Sequence, residues 1–478
     1  MPWVLGAVLV VVALALAWRL TRRWADRAAA RSVLRFRARV DRFKFTRKSY
    51  VRAELLTDEE VADAVLAHAA EHALPEAAVW RRVEQYVDEI VPFFNLLAYY
   101  RVGYWVSRTL LDLLYKVSVE YERPPAVARI PRDSIVIYLA NHRSNADYVL
   151  VGYVLSGQVA ISYAVGEWAR AFPLEYIFKS FGSYFVRRGY REPLYHTVLE
   201  RYVQLITRNG VTQGIFPEGG LTRDGRLQPG KIGLLDYMIG VARDASFRDR
   251  LYLVPVSVNY DRVLEDRSLL RELAAREGRG RPSRLAQLAE VTHYVAWNVG
   301  RLLTGRWQRY GRAAVTIGEP MPLAPWFAEQ GGDLLFTLPR RERLARVQAL
   351  CDRVMSRIGA LIPVTPVPLA CAAIQSLGAP YISRRALLAR MEEMRDVLVE
   401  LNGRVIRADR SVSDTFDRAW RMLRMRRILL PADGDGFVVP ERNRELVSYY
   451  ANSIAHVLGP FEEGVRARDA LPVERALG

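Results

Sequence analysis

A histidine and an aspartate stand five residues apart in Asn141-His142-Arg143-Ser144-Asn145-Ala146-Asp147-Tyr148. A base with a carboxylate placed to hold it is the minimum equipment for taking a proton from an alcohol. The residues just before, 134–140, form a short β-branched and aromatic run, which predicts a buried strand. The apolar stretch 148–155 that follows predicts a helix, with Asn145 or Asp147 as its cap. His142 is therefore expected where a strand ends. A solvated turn with a helix cap is the plainer alternative for the same residues.

Three further blocks follow. Residues 181–188 read as a strand ending in the adjacent pair Arg187 and Arg188. Residues 215–223 read as another strand end, opening into Glu218-Gly219-Gly220-Leu221-Thr222-Arg223. Residues 251–260 read as a buried strand with Asp261-Arg262 at its exit. In this order the four blocks resemble the glycerolipid acyltransferase superfamily. There a His-x4-Asp motif precedes Gly-x-x-Phe-x-Arg-Arg, Glu-Gly-x-x-Ser/Thr-Arg and Val-Pro-Val blocks. The helix-like 196–202, the stretch Gly225-Arg-Leu-Gln-Pro-Gly-Lys231 and the segment 446–456 are similar to the glycerol-3-phosphate acyltransferase branch, with Ala451 and Ser453 replacing two members. One departure is Leu221, where the family pattern has an arginine.

The resemblance implies acyl transfer from a thioester, acyl-CoA or acyl carrier protein, to the 1-hydroxyl of glycerol-3-phosphate, giving lysophosphatidic acid. Neither cofactor nor metal is implied. His142 is the candidate base, and Asp147 the group that holds its other ring nitrogen. The attacking oxygen is then the substrate's, with no serine nucleophile. No Gly-x-Ser-x-Gly elbow is found, which argues against an esterase. A phosphorylated acceptor accounts for Arg187, Arg188, Arg223 and Lys231, because guanidinium forks match phosphate oxygens and stay charged. Glu218 is a candidate for an acceptor hydroxyl, and the amides of Gly219 and Gly220 for phosphate or oxyanion. Leu221 keeps lysophosphatidate and dihydroxyacetone phosphate open as acceptors. A silent membrane-binding protein with the same fold is the alternative of another class, and the intact His142/Asp147 pair speaks against it.

These residues need a scaffold. From about residue 127 to 323 strands alternate with helices, which predicts an α/β fold with a mixed sheet and flanking helices. At 478 residues two or three domains are expected, and 51% hydrophobic with 25% charged residues is globular rather than disordered. Cys351 and Cys371 cannot make a disulfide framework. Residues 2–18 carry no charge, and thirteen Lys/Arg stand against Asp26 and Asp41 in 19–52. Charge placed after the apolar run predicts a spanning anchor with a polybasic collar and a cytoplasmic body, with anionic lipid rather than nucleic acid as partner.

The expected division is an anchor at 1–18, a basic and helical membrane-proximal region at 19–125, an acyltransferase domain at 126–325 and a helical C-terminal domain at 326–478. Within the second, 19–52 suits an amphipathic helix, and Val91 to Tyr100 is too short to span. His68-Ala-Ala-Glu71-His72 matches a zinc-peptidase spacing, but no third ligand can be placed, so no metal site is expected. Residues 285–303 read as an amphipathic helix, and 313–320 as the last strand.

Overall fold

The computed structural model describes residues 48–93, 103–123, 129–156, 159–166, 174–187, 189–278, 304 and 307–459. The anchor expected at 1–18, the collar up to residue 47, the aromatic residues 94–100, the helix expected over 285–303 and Arg188 lie outside the described residues. Among those described, no helix is long and apolar enough to cross a membrane.

The mixed α/β sheet is present. Its strands are β1 (Lys116–Tyr121), β2 (Ile135–Ala140), β3 (Ser162–Gly166), β4 (Tyr184–Val186), β5 (Gln213–Ile215), β6 (Leu251–Tyr260), β7 (Arg312–Ile317) and the two-residue β8 (Met321–Pro322). They lie in the order β1-β7-β6-β2-β5-β3-β4, with β8 on β6. Strands β6, β2, β5, β3 and β4 are mutually parallel; β7 runs antiparallel to β6 and carries β1 with it. The carboxyl ends of the five parallel strands therefore share one edge. In open sheets of this kind ligands bind in the crevice beyond that edge.

Each residue of β2 is buried, as expected of a parallel strand covered on both faces. Alternation then divides the strand between two cores. Ile135, Ile137 and Leu139 pack into a layer with helices Glu59–His72, Glu76–Ile90, Pro193–Arg208 and Arg340–Ala360. Val136, Tyr138 and Ala140 face helices Ala146–Leu155, Pro366–Leu377, Val412–Met425 and Arg444–Asn452. On β6 the same parity puts Leu251 and Leu253 in the first layer and Val254, Val256, Val258 and Tyr260 in the second.

The C-terminal helices share the core of the sheet's second face. Pro366 opens the helix Pro366–Leu377, where its missing N–H costs nothing. Helices Arg384–Glu400, Val412–Met425 and Arg444–Asn452 surround it, beside the antiparallel strands β9 (Tyr381–Ser383), β10 (Leu430–Ala432) and β11 (Gly436–Val438). Cys351 and Cys371 are free, buried thiols, one on each side of the sheet.

Candidate active site

His142 begins the turn that leaves β2, and Asp147 lies in the first turn of the helix Ala146–Leu155. The His142 Nδ1 is 2.9 Å from Asp147 Oδ2. A carboxylate only accepts, so Nδ1 bears the hydrogen of the neutral ring and Nε2 presents the lone pair. The ring is fully buried, stacked on Phe216 at 4.1 Å between centroids and met edge-on by Tyr148 at 5.3 Å. Its Nε2 has no hydrogen-bond partner among the described residues. A buried polar atom left unpaired is costly, and such an atom on a base marks a place for substrate.

Neither Asn145 nor Asp147 caps the helix in the ordinary way, since Asn145 makes no side-chain cap bond. Asp147 instead reaches back over the turn. Its Oδ2 accepts from the amides of Arg143 (2.7 Å) and Ser144 (3.0 Å) as well as from the imidazole, and its Oδ1 accepts from the Tyr260 hydroxyl at 2.6 Å. Further carboxylates finish the turn. Glu218 accepts the His142 amide at 2.7 Å, and Glu265 accepts the Ser144 hydroxyl (2.7 Å) and the Asn145 amide (3.2 Å). Asn141 ties the end of β2 to β6, donating to the Val258 carbonyl (2.9 Å) and accepting its amide (2.7 Å).

The segment after β5 lies alongside. Glu218 is buried, with Oε1 on the His142 amide and Oε2 on the Gln228 amide at 3.0 Å. Burial pushes its carboxyl up to about 7. Expected to face an acceptor hydroxyl, Glu218 turns both oxygens to backbone. The Gly219 amide, expected to be free for an anion, donates to the Phe216 carbonyl at 3.0 Å and closes the turn in which Gly219 takes φ +70°. Gly220 follows, half-buried. Lys231 lies over that turn: a Cβ on Gly219 would stand 3.0 Å from Lys231 Cδ and 3.4 Å from its Nζ. Leu221, where the family pattern has arginine, packs partly buried against the core of the second face.

The arginines divide. Arg223 pairs with Glu272 at 3.1 Å. Arg187 gives Nε and Nη2 to the two oxygens of Glu89, at 2.9 and 2.6 Å, and its guanidinium stands within 5.5 Å of the rings of Tyr86, Tyr190 and Tyr195. The fork expected to take phosphate is thus filled by a carboxylate from the helix Glu76–Ile90. Arg143, absent from the sequence expectation, is almost wholly buried. It donates to the carbonyls of Gly225 and Ser453, the latter at 3.0 Å. Tyr260, Asn141, Gln228 and Glu265 were missed as well. The one signal for them is position, because each falls inside or next to a block already singled out. Among the described residues no group of His, Cys, Asp and Glu could hold a metal ion.

Residues 126–259 match the family described as acyltransferase, and residues 297–460 match the glycerol-3-phosphate acyltransferase C-terminal region. The chain is 25% identical over 426 residues to the glycerol-3-phosphate acyltransferase of Aeromonas hydrophila subsp. hydrophila. That stretch is 87% of this chain and 50% of the relative, so the chain spans about half the length of the curated protein it matches. It also matches the crystal structure of the 1-acyl-sn-glycerophosphate acyltransferase from Thermotoga maritima at 20% identity. That match covers 54% of this chain and 79% of the other, with a TM-score of 0.30, too slight to bear on the fold.

Proposed function

The chain belongs to the glycerolipid acyltransferase superfamily, in its glycerol-3-phosphate acyltransferase branch, and from that premise we propose that it forms lysophosphatidic acid by acylating the 1-hydroxyl of glycerol-3-phosphate. The donor is an acyl thioester, of CoA or of acyl carrier protein. The observation that carries the reading is the buried, unpartnered Nε2 of a histidine whose other nitrogen is held by Asp147. In the proposed reaction Nε2 accepts the hydroxyl proton as the acceptor oxygen bonds to the thioester carbonyl carbon. The C–S bond then breaks, and the imidazolium returns the proton to the leaving thiolate. Asp147 stabilises the imidazolium between these steps and fixes the tautomer. The buried, aromatic surroundings of the ring strengthen that electrostatic help.

Arg223 and Lys231 are the proposed phosphate contacts among the described residues. One flanks the Glu218–Gly220 turn and the other lies over it. Arg188 is proposed with them from the sequence alone. Arg187, engaged by Glu89, is assigned to holding that loop in place. We place the reaction at a membrane surface, on the uncharged residues 2–18 and the basic segment behind them.

The test is a radiolabelled acyl-CoA assay of the full chain against glycerol-3-phosphate, lysophosphatidate and dihydroxyacetone phosphate, with His142→Ala beside the wild type. Product is expected with glycerol-3-phosphate, and loss of the base should lower turnover about 10²–10⁴-fold. Turnover of another acceptor alone would replace the substrate assignment. More than roughly a tenth of the activity surviving in His142→Ala would remove the base from the mechanism.

A further inference from the structure

Strand β6 runs on past its neighbour. Ala140, the last residue of β2, pairs with Val256, and Tyr260 closes β6 four residues further toward the edge that bears the site. Tyr260 shares parity with Val256 and Val258, so its side chain lies on the face covered by the helix Ala146–Leu155. The ring is fully buried beside Tyr115, 5.4 Å between centroids, and the hydroxyl meets Asp147 Oδ1 at 2.6 Å. Asp147 has three donors on Oδ2, whereas Oδ1 has Tyr260 and no other hydrogen-bond donor among the described residues.

We infer that Tyr260 is a positioning residue of the reaction: its hydroxyl neutralises the outer oxygen of Asp147 and so sets how tightly the His142–Asp147 pair holds its proton. The inference rests on the function proposed above. A carboxylate can only accept, so the phenol is the donor, and burial keeps it protonated, its pKa well above the ordinary tyrosine value. A donor to the charged form of an acid lowers its proton affinity. Without the hydroxyl, Oδ1 would be a buried anionic oxygen with no described partner, and the pair would bind its proton more strongly. Activity needs His142 as free base, so the acid limb of the pH profile would move up. The other charged or titratable groups facing Asp147 are Arg143, Glu218, Glu265 and Tyr449, and removing one phenolic oxygen leaves all of them in place.

Tyr260→Phe keeps the ring and tests this in the full chain. The acid limb of kcat/KM should rise by about one pH unit, a tenfold change in proton affinity, with the KM of both substrates little altered. Tyr115→Phe, which loses a hydroxyl bonded to the Arg262 carbonyl instead, should leave the limb unmoved. Imidazole NMR of His142 reads the same shift without turnover, so it separates this inference from the assigned activity. A rise in the NMR titration upholds the role of Tyr260 even if no acceptor is acylated. If the phenylalanine variant does not fold, 3,5-difluorotyrosine at position 260, a stronger donor, should move the titration down. An unshifted titration in either variant, or an equal shift in Tyr115→Phe, would overturn the inference.

Discussion

Glu218 has two carboxylate oxygens and two backbone amides to hold, those of His142 and Gln228. It therefore fixes the turn that bears His142 to the loop after β5 by accepting from both amides. Its burial makes this dependent on pH. The carboxyl titrates near 7 in the folded protein against about 4.3 in an unfolded chain. A folded-state value above the unfolded one contributes stability that is complete below the unfolded value and is lost as pH rises through the folded one. The wild type should thus lose stability as pH rises from about 4 through 7, by about 4 kcal/mol at most. Glu218→Gln does not titrate, and its amide nitrogen faces one of the two N–H groups, a mismatch of about 1–3 kcal/mol at every pH. The melting temperature of Glu218→Gln should therefore rise relative to that of the wild type from pH 5 to pH 8 and overtake it. A gap that stays constant across that range would show that Glu218 does not titrate there.

At the scale of elements, the turn that bears His142 is joined to the C-terminal helices through Arg143 and Gly225. Arg143 links the Gly225 carbonyl to that of Ser453, just beyond the helix Arg444–Asn452, and Asn452 donates to the Asp224 carbonyl at 2.8 Å. Gly225 takes φ +84°, and a Cβ there would stand 1.9 Å from the Tyr449 carbonyl oxygen. Gly278 takes a similar φ of +81° with nothing within 4 Å among the described residues. Gly225→Ala and Gly278→Ala therefore share the left-handed backbone cost of about 1–2 kcal/mol, and only the first adds an overpacking cost of about 1–3 kcal/mol. Thermal melts should place Gly225→Ala clearly below Gly278→Ala, and activity should fall in the former alone; equal losses would mean that this junction tolerates displacement. The central strands were legible, whereas β1, in a region read as helical, and β9 to β11, in a C-terminal part read as a helical domain of its own, were not. Strand β6 has the bounds read from its apolar run, and β2 begins one residue later than expected. What sequence hides is which distant partner a polar group finds. Glu89 lies 98 residues from Arg187 and takes the fork expected to be open, while Tyr260 looked like one more apolar strand residue until its hydroxyl met Asp147 113 residues away. Leu221 was visible as a departure, but its packing against the core was not.

Over the whole chain, the densest run of basic residues and the exposed apolar residues of one described helix fall in different segments of the sequence. The segment 19–52 holds thirteen of the chain's 69 Lys and Arg residues against two acids. Among the described residues, Trp105, Val106 and Leu110 form an exposed apolar stripe on the helix Tyr104–Leu114. Tyr104 of that helix stacks at 5.5 Å on Tyr153, from the same helix that carries Asp147, so the stripe and Asp147 are borne by one layer. Two sources of membrane attachment can then be separated by salt. Each basic side chain near an anionic surface contributes about 1 kcal/mol, which fades as the screening length falls from about 10 Å at 0.1 M salt to about 3 Å at 1 M. Burial of apolar surface is not screened in this way and is strengthened by excluded salts. Removal of residues 1–18 should leave a protein that pellets with anionic vesicles at low salt and is released as salt rises, because the basic segment remains. Retention at 1 M salt that is lost on Trp105→Ala would assign the attachment to the apolar stripe instead. A truncated protein that stays in the supernatant even at low salt would show that neither surface holds a membrane, and would return the attachment wholly to residues 1–18.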